Sequence, residues 1–219
     1  MVDDKEQRTK TENKNPYDLC TWRDSSNCKG CNLNENLNCR FNGLNKSSLI
    51  FGLSFFLYLV PVLIGMIWSN LVIYIIFWVI YTIFFFQFWE IRVLCRHCPF
   101  WSEGGKILHC FANYGFYKVW KYNPGPMTKW EKAQFLVGIA ILMGYFIPFL
   151  VVYNQLLMLI ITIIGIIFFF VNVFINHCPK CVNFSCPFNR VPKKIVDGYL
   201  KLNPVIKDAW EKKGYKIGN

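Results

Sequence analysis

The chain alternates between long apolar blocks and polar segments that carry its cysteines. Between Lys46 and Arg92 the only formal charge is Glu90, and the stretch between Lys132 and Lys180 carries none. A soluble helix of this length needs a polar face, whereas these blocks are apolar on every side. We therefore predict membrane-spanning helices in both blocks.

Each block is long enough for two such helices, since crossing a hydrocarbon core takes about 20 residues. The predicted spans cover residues 49–68, 71–89, 135–153 and 156–175. Only a very short link separates the two spans of each block, so each block is predicted to form a tight hairpin. The predicted fold class is an all-α integral membrane protein with four transmembrane helices in two tandem hairpins and cysteine-rich cytoplasmic segments.

The boundaries between polar and apolar segments divide the chain into six units. Residues 1–16 have almost no apolar side chains and are predicted to form a flexible polar tail. The two transmembrane hairpins with their flanks occupy residues 47–91 and 133–176. The remaining units are a cysteine-rich metal-binding module at 17–46, a cytoplasmic cysteine and aromatic loop at 92–132, and a cytoplasmic cysteine motif with a helical tail at 177–219.

Two helix ends have recognisable signals. Thr128 and Glu131 have the spacing of a capping box at the start of the third span. In the tail, Asn203 as N-cap, Pro204 at the first helical position and Gly214 just past the end predict one short helix.

Basic residues predict the orientation, because Lys and Arg in short flanking loops favour the cytoplasmic side. The first 48 residues contain eight of them, residues 92–132 contain seven, the tail after residue 177 contains nine, and the short links contain none. We therefore expect a multi-pass protein of the cell (inner or cytoplasmic) membrane with both termini in the cytoplasm. The net charge of +11 indicates attraction to the lipid bilayer surface. No nucleic acid is expected as a partner, since the basic residues form no recognisable binding motif.

All ten cysteines lie in the predicted cytoplasmic segments. Thiols stay reduced there, so grouped cysteines more often bind metal or carry out redox chemistry than form disulfides. The amino-terminal group is Cys20, Cys28, Cys31 and Cys39, in a segment without a hydrophobic core of its own. A tetrahedral zinc ion would supply the missing folding energy. An iron-sulfur cluster and unliganded thiols are the alternatives.

Two Cys-x-x-Cys pairs follow the ends of the second and fourth spans. They are Cys95 with Cys98 and Cys178 with Cys181. Together they form the simplest four-sulfur set for one metal, with two sulfurs from each hairpin. Further candidate ligands in the same segments, which allow two separate sites instead, are Cys110, Cys186, His97, His109 and His177.

Aromatic side chains are frequent in the central loop between residues 111 and 122. They are typical of an interfacial belt at the level of the lipid headgroups. The alternative is a wall for a hydrophobic ligand such as a quinone. A channel or transporter is not favoured, because the spans contain no ionisable residue before Glu90 at a membrane edge.

A Cys-x(n)-Cys-Pro motif follows both the second and the fourth span. The motifs consist of Cys95, Cys98 and Pro99, and of Cys181, Cys186 and Pro187. In this arrangement residues 49–188 resemble the membrane-bound ferredoxin-type quinol dehydrogenase components of periplasmic nitrate reductase systems. The resemblance implies electron transfer between quinol and iron-sulfur centres. The cysteine spacing differs from the three residues of that family, with two intervening residues in the first motif and four in the second.

Three functions are consistent with these patterns. The first is a membrane electron-transfer component with iron-sulfur or zinc sites at the cytoplasmic membrane face, working with a redox partner protein or other membrane subunits. The second is a zinc-stapled membrane scaffold or assembly protein without catalysis. The third is a membrane thiol-disulfide oxidoreductase.

The predicted orientation can be tested by thiol labelling of intact cells. A membrane-impermeant maleimide added outside is expected to leave Cys20 and Cys186 unmodified, because both lie on the cytoplasmic side of the predicted spans. Cells permeabilised before labelling provide the positive control, and the mass of each cysteine peptide gives the result. Ready modification of either cysteine in sealed cells would contradict this topology.

Overall fold

A computed structural model of the chain describes residues 14–23, 28, 30–40, 46–110 and 112–218, without the side chains of residues 46–48. The predicted flexible tail therefore lies almost entirely outside the described residues. Within the described ranges the chain is helical and forms no strand. An isolated antiparallel bridge joins Ile107 and Tyr117 in the central loop.

Among the described residues, five helices longer than one turn build the apolar part of the fold. They are α1 (Lys46–Trp68), α2 (Val72–Phe84), α3 (Lys129–Gly144), α4 (Ile147–Val152) and α5 (Leu156–Asn172). A π-helical turn extends α2 through Phe85–Glu90, and another extends α5 through Val173–His177. Thr128 and Glu131 cap α3 with both hydrogen bonds of the predicted capping box.

When the irregular turns between them are included, these helices form four stretches that are long and apolar enough to cross a membrane. The stretches are Leu49–Trp68, Val72–His97, Lys129–Val152 and Leu156–Lys180. Large apolar side chains on their outer surfaces are exposed, for example Leu49 at 73% and Ile83 at 61%. Such continuous apolar surface suits the environment of a lipid bilayer. The prediction of four apolar helices is confirmed.

The chain turns in the same way after α1 and after α4. Asn70 and Asn154 adopt positive φ angles of 55° and 52°, a region that Asn tolerates better than most residues. In each turn the N–H of the next residue donates to the carbonyl five residues back at 2.9 Å. The same local geometry thus closes both predicted hairpins, whose arrangement in a membrane stays a prediction.

The third apolar stretch is interrupted before Pro148, between α3 and α4. The Tyr58 hydroxyl lies 3.3 Å from the carbonyl oxygens of both Leu142 and Met143. Trp78 donates its indole N–H to the Leu142 carbonyl at 2.9 Å. Proline removes a helical donor, and side chains of neighbouring helices can satisfy carbonyls near such a break. Polar atoms from α1 and α2 therefore support the break in an otherwise apolar interior.

The most extensive helix packing joins α1 to α5. It depends on the missing side chain of Gly165, because a Cβ there would lie 2.9 Å from the Cα of Tyr58 and 3.1 Å from the Leu57 carbonyl oxygen. Both neighbours are backbone atoms and cannot rotate away. The close approach of α1 and α5 therefore requires glycine at this position.

A second core lies outside the apolar helices. We call this part the cap; it comprises the described residues of 14–40, 94–127 and 178–218. Its helices are α6 (Lys193–Leu202), which was not predicted, and α7 (Pro204–Glu211), which confirms the predicted tail helix. The core draws residues from both chain ends and from the loop between them, among them Leu19, Leu37, Phe100, Trp101, Leu108, Tyr199, Leu200, Ile206 and Trp210.

Substitution of Gly165 tests the packing of α1 on α5. Gly165→Ala is expected to destabilise the detergent-solubilised protein by about 1–3 kcal/mol, the usual cost of overpacking. Gly52→Ala is the matched control, because a Cβ at that position meets nothing within 4 Å. Thermal unfolding followed by the loss of soluble monomer measures both variants. An unchanged midpoint for Gly165→Ala would contradict the close approach.

Candidate metal centres

The four amino-terminal cysteines lie around one cavity of about 100 Å³. Cys20, Cys28, Cys31 and Cys39 all line it. Burial raises the pKa of the Cys39 thiol to about 12, and negative charge on the other three thiols adds to the rise. The structure thus brings together the four residues that the sequence groups; we call them the amino-terminal site.

Asn203 holds this site against the carboxy-terminal helices. Its side-chain oxygen accepts the Cys20 backbone N–H at 2.7 Å, and its amide nitrogen donates to the Cys20 Sγ at 3.2 Å and to the Tyr199 carbonyl at 2.7 Å. Burial raises the pKa of Cys20, and the hydrogen bond from Asn203 opposes that rise. Asn203 stands at the N-cap position of α7 but uses its side chain to anchor the amino-terminal segment instead of capping the helix.

Next to the apolar helices, three further thiols each lie within electrostatic reach of the Cys181 thiol. Burial is the main cause that raises the pKa values of Cys98, Cys110 and Cys186, and in each case negative charge at Cys181 raises them further. For Cys110 the rise is to about 11. We call these four cysteines, two from the central loop and two from the carboxy-terminal segment, the central site.

The four cysteines of the central site share one backbone feature. Each accepts a hydrogen bond from the backbone of the residue two positions further on, which opposes the effect of burial on its pKa; these residues are Phe100, Ala112, Asn183 and Phe188. The Asn113 N–H also donates to the Cys110 Sγ at 3.1 Å. Hydrogen bonds of this kind stabilise a thiolate and orient it as a metal ligand.

Cys95 also lies within electrostatic reach of Cys98 and Cys110, but its hydrogen bond is of a different kind. The side-chain amide of Asn113 donates to the Cys95 Sγ at 3.3 Å and to the Glu90 Oε2 at 2.8 Å. All three residues are buried. Glu90, the only charged residue of the first apolar block, thus lies beside the thiols. The side-chain amide of Asn113 joins it to Cys95.

Cys178 begins a short helical turn, Cys178–Lys180, at the end of the fourth apolar stretch. Its carbonyl accepts the Arg190 N–H at 3.2 Å. Its thiol is close enough to Cys181 for the two to interact electrostatically. Cys178 therefore lies at the border of the central site.

Both ring nitrogens of His97 make polar contacts within the fold. Its Nδ1 lies 2.6 Å from the Gly125 carbonyl oxygen, and its Nε2 lies 3.3 Å from the Glu131 Oε1. The same carboxylate oxygen pairs with the Arg96 Nη2 at 2.6 Å. This network fixes the turn between Cys95 and Cys98 against the start of α3, and it leaves no nitrogen of His97 for a metal.

The other two histidines differ from His97. The His109 Nδ1 lies 2.6 Å from the Glu103 Oε2. His177 packs the edge of its ring on Phe51, with the ring centres 5.3 Å apart. Its Nε2 is buried and has no hydrogen-bond partner among the described residues. The Nε2 of His177 therefore remains available for a ligand.

Neither group of cysteines has the tight geometry of a closed metal site. Within the ranges that the structure describes, no three Cys, His, Asp or Glu side chains are placed as ligands of one ion. Binding a metal would therefore require the thiols to draw together and to lose their protons, since metal binding to cysteine releases protons.

Known proteins offer no further guide to these centres. No protein-family model, curated protein or solved structure matches the chain.

The sequence reasoning missed Asn113 and recognised Asn203 only as an N-cap. Asn113 and Asn203 are both buried amides that bind a cysteine sulfur across the fold. Asparagine is common in loops, turns and N-caps, so nothing in the local sequence shows that these two contact a distant cysteine. Glu90 did have a signal, because it is the lone charge of its block.

The anchoring role of Asn203 can be tested by proteolysis. Asn203→Leu leaves the Cys20 N–H without its buried acceptor, which costs about 1–3 kcal/mol. Trypsin is therefore expected to cleave after Arg23 about 5- to 150-fold faster, in proportion to the more frequent opening of the segment. Asn36→Leu is the control, since Asn36 is exposed. Equal cleavage rates in both variants would exclude the anchor.

Proposed function

We propose that this chain is a multi-pass membrane metalloprotein that carries electrons through a cysteine-ligated centre at the cytoplasmic membrane face. The proposed ligands are Cys98, Cys110, Cys181 and Cys186. The proposal rests above all on one observation, namely that the other three thiols each lie within electrostatic reach of Cys181, and that each of the four takes a hydrogen bond from the backbone two residues ahead. Four half-buried sulfur donors suit a soft metal or an iron-sulfur cluster.

This set differs from the simplest set of the sequence reasoning. Cys95 and Cys178 would be replaced as ligands by Cys110 and Cys186. The arrangement of Cys95 supports the replacement, because its sulfur takes a hydrogen bond from the side chain of Asn113, which also holds Glu90. The two sets predict opposite results when single cysteines are removed.

An iron-sulfur cluster bound there would supply reversible one-electron transfer. The protein would contribute burial and the backbone hydrogen bonds, both of which influence the reduction potential of such a cluster. Asn113 would contribute a further N–H bond to Cys110 and keep Glu90 in place beside the centre. These residues would therefore hold the sulfurs in position and keep water away.

The proposed electron donor is a quinol in the membrane, in line with the resemblance to quinol dehydrogenase components. The central loop supports this choice, because it contacts the second apolar stretch. There the side-chain amide of Gln87 donates a hydrogen bond to the Tyr117 carbonyl at 3.2 Å. Tyr117 and Tyr114 are largely exposed there, and Arg92 lies over the ring of Trp120 at 5.4 Å. These aromatic rings would meet an amphipathic ligand at the headgroup level.

A zinc-stapled scaffold is the second candidate, and the amino-terminal site favours it. Residues 14–40 add few apolar side chains to the cap, among them Leu19 and Leu37. A structural metal between Cys20 and Cys39 would compensate for this small core. In that case the metal would fasten the two ends of the chain together without carrying electrons.

Metal analysis of protein purified without oxygen tests the proposal. Iron with acid-labile sulfide and a reducible chromophore is the result expected for electron transfer, and colourless zinc is the result expected for the scaffold. Cys110→Ser and Cys181→Ser are each expected to remove one centre per chain, because a four-sulfur site rarely survives the loss of one sulfur.

Cys178→Ser is the matched control and should keep the full metal content. Loss of metal in Cys178→Ser with retention in Cys110→Ser would support the set of Cys95, Cys98, Cys178 and Cys181 instead. Full retention in both Cys110→Ser and Cys181→Ser, or wild-type protein without metal, would refute the central site.

A further inference from the structure

Two backbone carbonyls next to cysteines of the central site accept hydrogen bonds from the amino-terminal segment. Trp22 donates its indole N–H to the carbonyl of Pro99, the residue after Cys98, at 3.1 Å. The Asn38 backbone N–H donates to the carbonyl of Lys180, the residue before Cys181, at 2.8 Å. Both cysteine-bearing turns of the central site are therefore held by the same segment.

The donors themselves lie beside cysteines of the amino-terminal site. Asn38 directly precedes Cys39, and Trp22 ends the short helical turn Cys20–Trp22. Covalent geometry and the bond between Asn38 and Lys180 therefore limit the distance between the Cα atoms of Cys39 and Cys181 to about 12 Å. The two groups of cysteines are neighbours joined by short, direct connections.

Side-chain contacts reinforce both connections. The Trp22 ring packs edge-on against Phe100, with the ring centres 6.0 Å apart. The Lys180 ammonium donates to the Glu35 carbonyl at 3.2 Å. The amino-terminal segment therefore contacts each cysteine-bearing turn at a backbone carbonyl and at a side chain.

We propose that the amino-terminal site controls the central site: a metal bound by Cys20, Cys28, Cys31 and Cys39 strengthens metal binding by the central cysteines. This inference rests on the proposed function. A metal at the amino-terminal site would order a segment that has little core of its own. The ordered segment then fixes the carbonyls of Pro99 and Lys180, so that less entropy is lost when Cys98 and Cys181 close on a metal.

Linkage makes the effect reciprocal, because a coupling free energy between two sites is the same in both directions. A metal at the central site must therefore strengthen binding at the amino-terminal site by the same factor. A substitution that merely damaged one site would not produce this symmetry.

The test uses Co²⁺ titration of the full-length protein in detergent under anaerobic, reducing conditions. The thiolate-to-cobalt absorption band reports occupancy, and alkylation of protected cysteines followed by mass spectrometry assigns each binding step to a site. Cys28→Ser combined with Cys31→Ser removes the amino-terminal site without touching either connecting hydrogen bond. Central-site affinity is then expected to fall about 5- to 150-fold, the usual range of allosteric coupling.

Two further variants isolate the coupling. Removing the central site with Cys98→Ser and Cys181→Ser is expected to weaken the amino-terminal site by the same factor. Trp22→Phe keeps an aromatic ring but loses the indole N–H. It should lower central-site affinity when introduced into the wild-type protein. In the Cys28→Ser, Cys31→Ser protein it should have little further effect. Trp130→Phe is the control, since Trp130 is 73% exposed.

The outcomes separate the coupling from the proposed function. Central-site affinity that is unchanged in the Cys28→Ser, Cys31→Ser protein would overturn the coupling and leave the proposed function intact. Wild-type protein that binds no Co²⁺ at the central cysteines would overturn both. A loss that is not matched by the reciprocal variant would also overturn the coupling, since linkage requires equal factors.

Discussion

The packing of the two chain ends on each other is the interaction on which the rest of the structure depends. The apolar helices offer almost no polar side chains, so the chemistry is confined to the segments outside them. These segments share one core, in which Tyr199 and Asn203 of the carboxy-terminal segment bind Thr21 and Cys20 of the amino-terminal segment. Without that contact the thiols of the amino-terminal site would lie on a segment with little core of its own.

The same packing explains why the cysteine turns have defined positions. The turn between Cys95 and Cys98 is fixed on one side by His97, through Glu131 and the Gly125 carbonyl. On the other side Trp22 holds the next residue, Pro99. Defined positions matter for either proposed role, because a metal centre is tuned and stabilised by the groups that orient its ligands.

Much of this fold follows from the sequence. The four apolar helices were predictable because charge is absent over their length. The capping box of α3 was predictable because Thr128 and Glu131 act locally. Helix α6 was missed, since its buried face of Val196, Tyr199 and Leu200 has meaning only against partners that are distant in the chain. The grouping of Cys110 with Cys181 was unpredictable for the same reason: it depends on how the central loop and the carboxy-terminal segment pack.

The central claim is that Cys98, Cys110, Cys181 and Cys186 hold one centre together. Alkylation of all ten cysteines, measured by mass spectrometry while a chelator removes metal from anaerobically purified protein, tests it most directly. The account predicts that these four become reactive together, at one chelator concentration. If they lose protection at different concentrations, or if their reactivity does not depend on the chelator, the four thiols do not share a centre.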